Sequence, residues 1–296
     1  MTTPAISARP TTSAPVATAL GGLAIALWSA LALLASFTRT LPPFETLGSS
    51  FAVAATASLT LIAARGAKAR TRLRQPIGAW LLGFTGLFGY HALYFFALSH
   101  APVAAASLIC YLWPLLIVLF ARPSAPGLAA RTRQLGGASL GLAGTALIVL
   151  GRPGAGLPET LPIAGFLAAL CAAFVWAGYS VLNRRYAARG SEPIGVLCAA
   201  VALAAGLCHW LFEPHITPEP RQFLALAALG LGPVGLAFFA WDHATKHGNL
   251  PLLGALAYFA PLLSTLLLVL AGAAPMQASL IGAAALIVTG ASLARR

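Results

Sequence analysis

"YLWPLL" at residues 111–116 returns as "YFAPLL" at residues 258–263, and that recurrence decides how the chain is read. Slid against itself by 146 to 148 residues, the sequence also brings His100 onto His247, Gly83 onto Gly230 and Trp28 onto Trp176. Near the ends of the two copies, Gly136 and Gly144 fall on Gly282 and Gly290. Single matches are cheap in an Ala/Leu-rich chain. One offset held through a whole series of helices marks an internal duplication.

The medium in which the copies fold follows from composition. Hydrophobic residues make up 59% of the 296-residue chain and charged residues 8%, and the mean hydropathy is +0.86. Soluble domains do not reach these values. A helix crosses hydrocarbon in about 20 residues, and apolar runs of that order lie near 16–37, 44–64, 77–98, 101–121, 135–151, 162–183, 193–213, 223–243, 250–270 and 279–294. The shortest are 135–151 and 279–294. A β-barrel would show short alternating segments instead of long apolar blocks. The expected fold is therefore all-α and integral to the membrane, with ten transmembrane helices.

Five helices per copy is an odd number, so the second copy enters the membrane from the opposite side. Loop charge agrees. The segment 65–76 carries five positive residues, whereas its counterpart 213–222 carries Glu213, Glu219 and one Arg; loop 38–43 has Arg39 alone, against three Arg in 184–192. Of the eighteen Lys and Arg residues, all but Arg39, Arg152 and Arg221 fall on the side of the N-terminus. By the positive-inside rule both termini are cytoplasmic. The net charge of +12 is thus a record of topology, not a nucleic-acid footprint. The expected organisation is a disordered cytoplasmic tail over 1–15, a first five-helix repeat over 16–151 and a second, inverted one over 152–296. The first apolar run exceeds a signal-peptide core and reads as a retained anchor helix.

Polar groups at bilayer depth cost several kcal/mol unless they meet a partner or a wet cavity. The third helix carries Tyr90, His91 and Tyr94 at helical i, i+3 and i+4 spacing, and the fourth carries Ser107 and Tyr111 on one face before Pro114. Tyr111 and Trp28 fall near mid-membrane at 1.5 Å of rise per residue. For His91 a bond to a neighbouring helix is the competing structural role, for Trp176 it is packing at a helix crossing, and for Trp113 it is a lipid-facing position, since an i+2 step turns it away from Tyr111. Pro114 and Pro261 recur at matched positions and each is expected to bend its helix. Matched glycine-interrupted segments, "GFTGLFG" (Gly83, Gly86, Gly89) and "GLGPVG" (Gly230, Gly232, Pro233, Gly235), are candidate hinges around a central site. Small residues in 136–144 and 282–290 read as helix-packing faces, with a homodimer through helices 5 and 10 as one use.

Three other matches carry less. "GLGPVG" fits a dinucleotide fingerprint but has no preceding strand and contains Pro233. "GASLG" (137–141) fits a serine elbow but sits in a Gly/Ala helix. Asp242, His243 and His247 could ligate a metal, but they stand at the end of the eighth apolar run and read as solvated interface groups. Cys110, Cys171, Cys198 and Cys208 show no C-x-x-C spacing, so neither disulfide framework nor metal site is expected, and no cofactor is implied. A membrane enzyme would need an acid pair, H-E-x-x-H or a Ser/His dyad, none of which is found.

The sequence resembles the drug/metabolite transporter superfamily, built from two EamA-type repeats. The resemblance covers about 16–294. It is carried by "AALCAAFVWAGYSVLNRR" (168–185), "SHAPVAAASLICYLWPLLIVLF" (99–120), "KHGNLPLLGALAYFAPLLSTLLLVL" (246–270) and "IGAAALIVTG" (281–290). Within that superfamily "GYHALYFFALSHAPVAAASLICYLWP" is similar to the YddG-type aromatic amino acid exporters. What the resemblance implies is an inner-membrane exporter of amino acids whose central cavity is lined by Tyr90, His91, Tyr94, Tyr111, Trp113 and Trp176. Trp28 and Tyr258 are second candidates, and the small-molecule cargo and the lipid bilayer are the expected partners. Export of drugs or other hydrophobic metabolites is the alternative. The five glutamates lie in loops or at span ends, so proton coupling would fall to His91; facilitated diffusion is the other option.

Overall fold

The computed structural model describes residues 13–123, 127–151 and 162–295, with the Lys68 side chain excluded. Most of the tail over 1–15, the junction between the copies and Arg152 lie outside them. The described residues form ten apolar helices. They are α1 (Ala14–Phe37), α2 (Pro43–Ala64), α3 (Ile77–His100), α4 (Val103–Phe120), α5 (Leu128–Leu150), α6 (Ile163–Tyr186), α7 (Pro193–Phe212), α8 (Pro220–His247), α9 (Leu250–Leu270) and α10 (Ser279–Arg295). The first nine are long and apolar enough to cross a membrane, and α10 is shorter.

The packing is symmetric under exchange of each helix with the one five places on. α2 lies along α7, α5 along α10 and α4 against α9, while α1 packs on α8 as α3 packs on α6. The α2–α7 pair is antiparallel, with Gly48 beside Ala205 and Gly206 and Ser58 beside Gly195. α5 is longer than its apolar run suggests. Its extra N-terminal turns carry Arg131, whose guanidinium donates to Val118 O at 2.7 Å and Ala121 O at 3.0 Å, taking up carbonyls that the end of α4 leaves free.

The small-residue faces of α5 and α10 meet each other inside the chain. A Cβ on Gly137 would collide with the carbonyl oxygen of Gly290, and one on Gly290 with that of Gly137; at Gly144 it would lie 2.8 Å from Ala283 O. These faces are therefore consumed by intramolecular packing, which accounts for the glycines without a second copy of the chain.

Both glycine segments are continuous with their helices. Thr85–Gly89 and Gly230–Leu236 are π-helical turns, at matching places in α3 and α8. The wider π turn displaces the backbone, and such turns recur at functional sites. Close approach explains two of the glycines. A Cβ on Gly86 would overlap the Tyr179 ring, and one on Gly230 would sit 2.6 Å from Ser50 O.

Besides a turn at Ala30 in α1, helices break just before the matched prolines. α4 is interrupted at Tyr111–Leu112 and α9 at Tyr258, because Pro114 and Pro261 each lack the N–H that would continue the ladder. Tyr258 is 0% exposed and lies across the break in α4. Its hydroxyl accepts from Leu115 N at 3.1 Å and donates to Tyr111 O at 3.3 Å, so one side chain bridges the donor and acceptor of the interrupted turn. This corrects the expectation that Tyr258 lines the cavity: it splices a helix.

Two outcomes are expected in detergent. Gly137→Val lowers the thermal unfolding temperature, at a cost of about 1–3 kcal/mol from overpacking, whereas Gly22→Ala, where nothing lies within 4 Å of a new Cβ, leaves it unchanged. Tyr258→Phe leaves the Leu115 amide without its acceptor, costs about 1–3 kcal/mol and speeds hydrogen exchange at Leu115.

Candidate functional site

Between the two copies lies a cavity of about 420 Å³. Seven of the expected residues line it: Trp28, Tyr90, His91, Tyr94, Tyr111, Trp113 and Trp176. Its mouth is at the end of the molecule that carries the α1–α2 and α7–α8 connections, where Leu31, Ala32 and Ala35 of α1 are exposed.

The floor is aromatic. The Trp28 ring stands at the centre, 5.0 Å between centroids from Trp241, 5.7 Å from Trp176 and 6.5 Å from Trp113. Its Nε1–H donates to Pro233 O at 3.0 Å, in the π-helical turn of α8. Trp241 is fully buried beneath it and donates to Ser180 Oγ at 3.1 Å. Tyr90 and Tyr94 stack one turn apart with centroids at 6.0 Å. Edge-to-face and offset contacts of this kind fix ring orientation as well as burying area.

His91 is held from within its own helix. Its Nδ1 lies 2.6 Å from Leu87 O, so Nδ1–H is the donor, and Nε2 is left as the ring's free hydrogen-bonding atom in the cavity wall. Phe51 and Phe238 pack edge-on against the ring at 5.7 and 6.2 Å.

Several lining residues were missed by the sequence reading. Phe95 and Phe238 complete the aromatic wall. On α2, Thr46 and Ser50 also line the cavity, and both hydroxyls are buried without a hydrogen-bond partner. Their i, i+4 spacing was a signal, but isolated Ser and Thr are common in membrane helices because they can bond their own backbone. Among the hinge candidates only Pro233 reaches the cavity wall.

The opposite end is closed by polar groups, and here the sequence expectation needs correction. Asp242 and Lys246 are not solvated: they are 3% and 6% exposed. α8 runs to His247, past the end of its apolar run, and joins α9 with only Gly248 and Asn249 between, so the segment 183–192 covers this turn. Lys246 Nζ donates to Asp242 Oδ2 at 2.8 Å and to Gly190 O at 3.1 Å. Asn183 Nδ2 donates to Asp242 Oδ1 and to Thr245 Oγ1, both at 2.9 Å. A void of about 20 Å³ lies beside this network. Arg184 donates to Gly248 O, and Arg72 pairs with Glu192 at 2.8 Å, adding two further ties between segments at the same end.

The chain matches the EamA-like transporter family over residues 16–150 and 163–296, one match for each copy. It is 47% identical to the aromatic amino acid exporter YddG of Ancylobacter novellus, over 94% of this chain and 96% of that one. It is 29% identical to the Escherichia coli K12 protein of the same name, over 94% and 95% of the two chains. A solved crystal structure superposes with a TM-score of 0.89 at 45% identity, covering 95% of this chain and 97% of the other. With ten apolar helices in two matched sets of five, this multi-pass inner-membrane protein belongs to the EamA-like transporter family.

Proposed function

We propose that the chain exports aromatic and other neutral amino acids by alternating access. The observation that carries the reading is the cavity, which joins an aromatic floor to two unpartnered hydroxyls, Thr46 and Ser50, in one wall. Its volume falls in the range of about 300–1,000 Å³ occupied by small-molecule sites. An aromatic side chain settles on Trp28, Trp113 and Trp176, and the polar head meets Thr46, Ser50 and His91 Nε2. The exporter names of the relatives support the cargo class.

Loop charge puts both termini in the cytoplasm, so the mouth faces outward and the described state is open to the outside. The closed end is then the cytoplasmic gate, with Asp242, Lys246 and Asn183 as its latch and the tryptophans above it as a second barrier. Matched π turns and prolines serve as the joints of the two halves. Transport, not membrane catalysis, is the activity in keeping with the family. A carrier of drugs or other hydrophobic metabolites is the alternative, and competition in a single assay separates the two.

Purified protein in liposomes is expected to carry labelled phenylalanine above empty-liposome background. Inert behaviour toward phenylalanine and toward a panel of other amino acids contradicts the proposal. His91→Ala is expected to lower flux roughly tenfold, equivalent to about 1.4 kcal/mol, while unfolding at the wild-type temperature. Wild-type flux in that variant at every pH would assign the imidazole to packing.

At the gate, Lys246→Met strands the Asp242 carboxylate, and removing one partner of a buried pair costs about 3–5 kcal/mol. The unfolding temperature is expected to drop in Lys246→Met and to recover in part in Asp242→Asn/Lys246→Met. Equal stability of the wild type and Lys246→Met would mean that the pair does not hold the closed end.

A further inference from the structure

Outside the cavity wall, at the mouth end, one cluster of side chains is left without a role. Glu45 lies in the first turn of α2, His209 in the last turn of α7 and His215 in the connection to α8. One carboxylate oxygen of Glu45 and one ring nitrogen from each histidine all fall within 4.8 Å of one another. Glu45 is 8% exposed, and its Oε2 is buried with no hydrogen-bond partner. A carboxylate oxygen in that condition is costly unless a cation or a donor meets it.

The neighbouring groups orient the cluster. Glu213 accepts from the backbone N–H groups of Phe44 at 2.8 Å and Glu45 at 3.1 Å, which fixes its carboxylate over the start of α2. The same carboxylate meets His209 Nδ1 at 3.1 Å. A carboxylate accepts, so Nδ1–H donates and Nε2 is the His209 atom left to coordinate. A carboxylate holding the far nitrogen of a ligand histidine is the usual outer-shell arrangement of zinc sites.

We propose that Glu45, His209 and His215 form a binding site for a zinc-like divalent cation at the mouth of the cavity, with Glu213 positioning His209. Two imidazoles and one carboxylate suit zinc, with water as the fourth ligand. Bonds of about 2.0–2.2 Å put tetrahedral ligand atoms roughly 3.4 Å apart, so side-chain shifts of about 1 Å close the cluster on the ion. Bound there, the cation ties the start of α2 in the first copy to the end of α7 in the second. Thr46 and Leu47, which line the cavity, are the next residues along α2.

The probe is Zn²⁺ alone, added to tag-free full-length protein in detergent and measured by equilibrium dialysis. One Zn²⁺ per chain is expected at micromolar concentration, with affinity at least tenfold lower in His215→Ala. His215 is exposed and lies in a connection, so that variant is expected to unfold at the wild-type temperature when no metal is present. Glu213→Gln is expected to weaken binding about 10- to 100-fold. His243 and His247 provide the control, because their rings lie 4.7 Å apart at the other end of the molecule. No stoichiometric binding up to 100-fold above that range, or binding retained in His215→Ala but lost in His243→Ala, overturns the proposal.

Discussion

A backbone carbonyl or amide left bare in hydrocarbon costs several kcal/mol, and this constraint governs where the helices of this chain can depart from regularity. Three departures come with a side-chain partner. The break in α4 is spliced by the Tyr258 hydroxyl, the α8 π turn gives its Pro233 carbonyl to Trp28, and the end of α4 is taken up by Arg131. Tyr258 and Trp28 each come from the opposite copy to the helix they complete, whereas Arg131 acts within its own copy. At Tyr258 and Trp28 the two copies are thus bound together where the backbone is irregular.

The cavity follows from the same economy of polar groups. Tyr90, His91 and Tyr94 can sit within a membrane helix because they face the space between the copies, with His91 held by Leu87 O. Tyr111 and Tyr258 occupy matched positions and do different things. One lines the cavity and the other mends the helix that carries the first. Duplication supplied two equivalent tyrosines, and the asymmetry between the halves assigned them separate tasks.

Much of this was legible in the sequence, for physical reasons. Ten apolar runs and a sustained repeat offset are long-range signals, and mid-span aromatics with an imidazole stand out against Ala and Leu. Tyr258 was misplaced because its match to Tyr111 suggested an equal role, and only the packing against Gly141 and α4 distinguishes them. Asp242 looked solvated because its apolar run ends near it, although the helix continues and the segment after α6 covers it. Thr46 and Ser50 went unread because a hydroxyl in a helix is ordinary until its partners are counted.

In the proposed cycle an aromatic amino acid rests in this cavity between the tryptophan floor and the α2 hydroxyls. A cysteine at Ser107, which lines the cavity and is partly exposed, reacted with a membrane-impermeant maleimide, is the most direct probe. Labelling is expected from the outer side of right-side-out vesicles, slowed in proportion to added phenylalanine. Labelling that ignores phenylalanine, or that occurs only from the cytoplasmic side, would contradict it.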